Sequence, residues 1–144
     1  MIAVDTNILV HAHRFDTVHN ARAYARLSEL ISGSAQWAIP WTCIHEFIGV
    51  VTRVGRWFDP TPLGAALDQV EVWRSSPTLE LLAEPEEYWA VLSGVATAGR
   101  VTGPQIHDAR IAAICLSHNV HELWSADRDF SRFPGLRVVN PLTA

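Results

Sequence analysis

The strongest constraint on the fold is the regular exchange of very short apolar, β-branched runs for longer helical stripes. Ile2-Ala3-Val4 ends abruptly on Asp5-Thr6-Asn7, and Trp37-Ala38-Ile39 ends on Pro40. Leu79 to Leu82 lies between Pro77 and Pro85, and Glu122 to Ser125 and Leu136 to Val139 complete the set. Runs this short and this apolar read as strands buried on both faces. Between them, residues 18–33 carry a stripe of Ala21, Tyr24, Ala25, Leu27, Leu30 and Ile31 at helical spacing, stopped at Gly33. Further helices are expected from Thr42, as cap, to about Val54, from Leu63 to Trp73, from Glu86 to Ala98, and from Gln105 to His118 behind Gly103-Pro104. Asp127 to Arg132 reads as a turn or short helix. Strands alternating with helices predict an α/β chain with a mostly parallel sheet covered on both faces.

The 144 residues suit one domain, 1–144, and can bury enough surface without a staple. Apolar residues at 49% exclude a disordered chain. The apolar run Ile111 to Leu116 falls far short of the ~18 residues that suggest a membrane span. The N-terminus lacks the basic region of a secretory signal, so a cytoplasmic chain with Cys43 and Cys115 as reduced thiols is expected. A net charge of −4 argues against broad electrostatic binding of nucleic acid. All eleven basic residues are arginine, a group whose fork suits phosphate.

Several acids occupy unusual places. Asp5 terminates a strand at the sheet edge where ligands bind in open α/β folds, although an aspartate there also caps a helix. Asp108 shares a helical stripe with Pro104, Ile111, Ala112 and Cys115, and a carboxylate on an apolar stripe is costly unless it is paired or metal-bound. Glu46 borders the apolar arc of its helix and reads equally well as a solvated flank. Asp127 leaves its strand at the same sheet edge as Asp5, with Asp129 two residues on; ordinary turn chemistry is the alternative. Carboxylates brought together repel, and a divalent cation removes the conflict. Oxygen-only ligands point to Mg²⁺ or Mn²⁺. His11, His13 and His19 lack the spacing of a zinc site and read as surface or capping residues. A phosphatase or receiver domain with an acid after its first strand would need a lysine, and this chain has none.

Val-Asp5-Thr6-Asn7-Ile-Leu, His45-Glu46-Phe47, His107-Asp108-Ala109-Arg110 and Trp124-Ser125-Ala126-Asp127-Arg128-Asp129-Phe130 follow one another in order along the chain. Together they resemble a PIN-domain protein, and more narrowly a VapC-type toxin of a bacterial toxin–antitoxin pair. The resemblance implies a three-layer α/β/α sandwich and a Mg²⁺- or Mn²⁺-dependent endoribonuclease that cuts structured RNA, tRNA or rRNA, with a metal-activated water. It implies catalytic roles for Asp5, Glu46, Asp108 and Asp127, and metal binding by Asp5, Asp108 and Asp127. Asp129 is the rival of Asp127 for the last position. Thr6 and Ser125 match supporting hydroxyl positions. A homodimer and an inhibiting VapB-type antitoxin are also implied. Arg110 and Arg128 are the expected RNA contacts, and Trp41, Trp57 and Trp124 are candidates for base stacking. The competing expectation is a non-catalytic module that binds RNA or antitoxin through the same residues. Residues 56–82 show no chemistry in the sequence; the stripe Leu63, Ala66, Leu67, Val70 and Trp73 suits either a docking surface or the core.

Overall fold

The computed structural model describes residues 1–143, so residue 144 of the expected 1–144 domain lies outside the described residues. The chain runs β1 (Ile2–Val4), α1 (Thr6–His13), α2 (Asn20–Ser32), β2 (Trp37–Pro40), α3 (Trp41–Val51), α4 (Leu63–Arg74) and β3 (Leu79–Leu82). It continues through α5 (Tyr88–Gly99), α6 (Ile106–Ser117), β4 (Glu122–Trp124) and β5 (Arg137–Val139). Short 3₁₀ turns at Gly103–Gln105 and Arg128–Arg132 precede α6 and join β4 to β5. All five strands are parallel, in the order β3-β2-β1-β4-β5.

That order reverses at β1. The chain first steps outward through β2 to β3, then returns to place β4 on the other side of β1. Right-handed crossovers put α1 to α4 on one face and α5 and α6 on the other, in keeping with the packing of α1 on α2 and α3, of α3 on α4, and of α5 on α6. The result is the expected three-layer α/β/α sandwich. The gap between β1 and β4 is its topological switch point, where open sheets of this kind bind ligands.

The strands behave as their composition demands. β2 is buried at every position, and Ala3 and Val4 of β1 are wholly inaccessible. Trp37, Phe47, Phe130 and Phe133 are the largest fully buried side chains. The stripe on α4 is mostly core: Ala66, Val70 and Trp73 are buried, with Trp73 edge-on to Phe47 at 4.8 Å, while Leu63 and Leu67 stay exposed.

Element ends differ from the expected ones in small, explicable ways. α3 starts at Trp41 and not behind a Thr42 cap, because Pro40 occupies the cap position with extended backbone. It stops at Val51, where the Thr52 hydroxyl turns back to the Ile48 carbonyl and Gly55 adopts a φ of +90°. α5 begins only at Tyr88. Gly99 ends α5 where nothing larger fits: a Cβ there would stand 2.7 Å from the buried Phe133 ring. Gly99→Ala is therefore expected to lower stability by about 1–3 kcal/mol through overpacking, despite alanine's better helix propensity. A urea titration checks this, and an unchanged midpoint would mean that the ring yields freely.

Candidate active site

β1 and β4 run in register, Val4 beside Trp124, so Asp5 and Ser125 leave adjacent strands at the same level. The Asp5 backbone N–H still bonds the Trp124 carbonyl at 3.0 Å. Asp5 caps α1 and at the same time stands at the strand end beside Ser125. As N-cap of α1 it accepts the Thr6 N–H on Oδ1 at 2.7 Å. On Oδ2 it accepts the Ser125 hydroxyl at 2.7 Å and Asn7 Nδ2 at 3.2 Å. The residue is only 5% exposed. Burial, reinforced by the charge of Glu46, pushes its carboxyl up to about 6, against the opposing pull of the Ser125 and Thr6 hydrogen bonds.

Ser125 is the hub of this junction. Its Oγ donates to Asp5 and accepts from the Asp127 N–H at 3.0 Å and from Asn7 Nδ2 at 3.2 Å, which uses its whole hydrogen-bonding capacity. Asn7 closes the clamp by accepting the Ala126 N–H on Oδ1 at 3.1 Å. Ser125→Ala takes the hydroxyl donor from the buried Asp5 carboxylate and leaves the Asp127 N–H without its partner, and a loss of about 1–3 kcal/mol is expected. Urea denaturation at pH 7 checks it; an unaltered midpoint would show that another group, or water, replaces the hydroxyl.

Glu46 reaches in from α3 and accepts the Thr6 hydroxyl on Oε2 at 3.1 Å. Asp108 stands half-buried in the first turn of α6, on the same stripe as the buried Ile111, Ala112 and Cys115. Burial raises its carboxyl above the ordinary carboxylate range, helped by the charges of Asp127, Asp129 and Glu46 and opposed by Arg132. Asp127 Oδ1 caps the following 3₁₀ turn by accepting the Asp129 N–H at 2.8 Å.

Asp5, Glu46, Asp108 and Asp127 thus line one cavity of about 370 Å³. Asp108, Asp127 and Asp129 each bring a carboxylate oxygen within 4.8 Å of the other two. Among the described residues none of the five acids forms a salt bridge. Crowded carboxylates that lack cationic partners and repel one another fit a hard divalent cation, and the all-oxygen donor set suits Mg²⁺ or Mn²⁺. Asp127 faces the cavity; Asp129 joins the cluster without lining the cavity.

The remaining expected residues are placed as follows. Thr6 and Ser125 are buried and orient Glu46 and Asp5. Arg110 pairs with Glu84 at 2.7 Å and lies outside the cavity lining. Arg128 is exposed at the start of the 3₁₀ turn and lines a separate shallow pocket behind Asp127. Trp124 is buried in the core and Trp41 leans on His45, whereas Trp57 lines the carboxylate cavity. Asn7, His11 and Arg56 also line the cavity. Asn7 belongs to the first motif, where a short polar side chain in a helix's first turn is the signal for a local clamp. His11, expected as a surface or capping residue, is half-buried there. Arg56 had no local signal.

The comparisons with known proteins agree with this geometry. A PIN domain family model matches residues 2–136. Ribonuclease VapC43 of Mycobacterium tuberculosis is 34% identical over 142 residues, spanning 99% of this chain and 96% of that protein. Ribonuclease VapC48 of the same species is 30% identical over 146 aligned positions, 96% of each. Among solved structures, VapBC2 from Rickettsia felis, bound to a promoter DNA fragment, superposes with a TM-score of 0.69 at 21% identity, covering 97% of this chain and 98% of the other. Family model, relatives and fold converge, and the chain belongs to the PIN domain family, among the VapC proteins.

Proposed function

We propose that the chain is an endoribonuclease toxin that depends on Mg²⁺ or Mn²⁺ and cuts structured cellular RNA, a tRNA or an rRNA. A VapB-type antitoxin holds it in check, and it acts as a homodimer of single 1–144 domains. The observation that carries the nuclease reading is the meeting of Asp5, Glu46, Asp108 and Asp127 from separate segments at the switch point, with no salt bridge to any of them among the described residues. The relatives' names as ribonucleases support the activity. The VapBC composition of the structural neighbour supports the antitoxin. Among the described residues no helix is long and apolar enough to cross a membrane.

Asp108, Asp127 and Asp129 would hold the cation, with Asp5 completing the set. Bound there, a divalent cation supplies positive charge for the scissile phosphate and lowers the pKa of water. The chain's own groups supply the rest. Ser125, Asn7 and the Thr6 N–H fix Asp5 before any substrate arrives, so no reorientation is needed during the reaction. Glu46 is hydrogen-bonded through one oxygen only, which leaves the other to orient an attacking water and accept its proton. In-line attack with the 3′-oxygen as leaving group, as the family resemblance implies, would leave a 5′-phosphate and a 3′-hydroxyl.

The test is digestion of total bacterial RNA by the purified, antitoxin-free chain with Mg²⁺, with Mn²⁺ and with EDTA. Discrete fragments bearing 5′-phosphates, present with metal and absent with EDTA, are expected. Equal cleavage in EDTA would refute metal dependence, and intact RNA in every condition would refute the nuclease for all RNA species in the pool.

A further inference from the structure

The carboxylate cavity is not lined by acids alone: Arg56, Trp57 and His11 line the same space, and of these Arg56 is the cation. An acidic cavity on a chain of net charge −4 repels a polyanion, so a substrate strand needs a local cation beside the carboxylates. We propose that Arg56 is that cation: it contacts an RNA backbone phosphate next to the scissile one, and Trp57 is the positioning residue that holds it there. This rests on the nuclease reading above and adds the residue that brings the substrate in.

Of the other arginines near the site, Arg110 pairs with Glu84, Arg132 bonds the Gly99 carbonyl and Gln105, and Arg14 is buried in a cluster of its own. Arg128 is as free of partners as Arg56 among the described residues, but it lines a different pocket and not the carboxylate cavity. Arg56 is exposed, and among the described residues it has neither a carboxylate within 4.0 Å nor a side-chain hydrogen bond. Its guanidinium lies over the Trp57 ring, 4.9 Å from the centroid. It is therefore held by the ring, while its N–H donors have no partner among the described residues and are open to an anion. A cation meant to neutralise the acids would pair with them; this one shares their cavity and does not.

Trp57 is itself fixed. Its Nε1 donates to the Val50 carbonyl at 2.8 Å, and the Arg14 guanidinium lies 4.3 Å from the ring centroid. Arg14 in turn grips both Asp16 carboxylate oxygens, at 2.9 and 2.6 Å, and donates to the Asp59 carbonyl at 2.7 Å. The segment between α3 and α4 is thereby tied to the end of α1, and Trp57 cannot swing away without breaking that knot. His11 adds no charge of its own at neutral pH, because burial and the nearby His19 and Arg56 disfavour its protonation.

The test measures binding of a short fluorescein-labelled RNA across a salt series, with Mg²⁺, in the Asp108→Asn background so that the strand is not cut. Arg56→Gln is expected to weaken binding several-fold and to lower the slope of log affinity against log salt by roughly 0.7, the value for one single-strand phosphate. Arg56→Lys should restore the slope, because the charge returns. Trp57→Leu should weaken binding with the arginine still present. An unchanged slope in Arg56→Gln overturns the proposal, including when that variant melts earlier, since Arg56 would then serve only the loop. Cleavage by the otherwise wild-type chain separates the two readings. If it cuts RNA and the slope ignores Arg56, the nuclease stands and the contact falls. If it cuts nothing while the slope depends on Arg56, the contact stands and the nuclease falls. Absence of RNA binding at any salt overturns the contact outright.

Discussion

Asp108→Asn is expected to leave the fold intact and to reduce RNA cleavage by roughly 10²–10³-fold, the range for removing one preorganised electrostatic group from an active site. The same substitution should stabilise the metal-free chain. Asp108 is raised by its own burial and by the charges of Asp127, Asp129 and Glu46, so its ionised form works against folding in the absence of a cation. Loss of activity with a gain of melting temperature in EDTA is a signature that simple damage to the core would not produce. The measurement is paired, cleavage of total RNA with Mg²⁺ and thermal melting with EDTA. Wild-type cleavage by the variant would remove Asp108 from the site, and a large drop in melting temperature would assign it a structural bond instead.

The second large effect is on stability against pH. Asp5 rises from 3.8 to about 6 in the folded chain. A carboxyl raised by folding favours the native state while it is protonated, and that advantage is lost as pH climbs from the unfolded value through the folded one. The shift corresponds to about 3 kcal/mol lost from the metal-free protein between roughly pH 4 and pH 7. Asp108 acts in the same direction. His11 acts in the opposite one, because folding lowers its affinity for a proton and stability is lost as pH falls below about 6.5. The difference between melts with Mg²⁺ and with EDTA isolates the carboxylates. That difference should be small near pH 5 and widen as pH rises through 6, since a cation binds the ionised site. A difference that stays constant over this range would show that the cation does not sit on these groups.

Much of this site was legible from local sequence, and the reasons are specific. An acid directly after a three-residue apolar run must stand at a strand end. An acid on the stripe of Ile111, Ala112 and Cys115 must face inward. Both deductions use positions a few residues apart, where strand and helix periodicity governs direction. Glu46 remained open because periodicity placed it on a border, and only the Thr6 hydroxyl, 40 residues away in sequence, decided which way it turns. Asp127 and Asp129 look alike locally because they are two acids in one turn; in the structure Asp127 caps that turn and lines the cavity, and both meet Asp108 in one cluster.

Arg56 shows the limit most clearly. Residues 56–82 carry no motif, and nothing near Arg56 in sequence marks it as part of an acidic cavity. Its place depends on the knot between Arg14, Asp16 and Asp59 and on the return of the chain from α3, all contacts between distant residues. Arg110 shows the converse. It follows the catalytic-looking Asp108 by two positions, yet α6 turns it toward Glu84.

The sequence by itself determined the elements, their α/β alternation and which acids stand at strand ends or on inward stripes, because apolar periodicity and turn residues act over a few positions. Only the tertiary structure decided that β4 returns beside β1, that Asn7 meets Ser125 across 118 residues, and that Arg56 joins the acids in lining one cavity. Periodicity tells a residue to be buried or exposed. It does not name the partner, and a site made of partners exists only once the sheet order has brought them together.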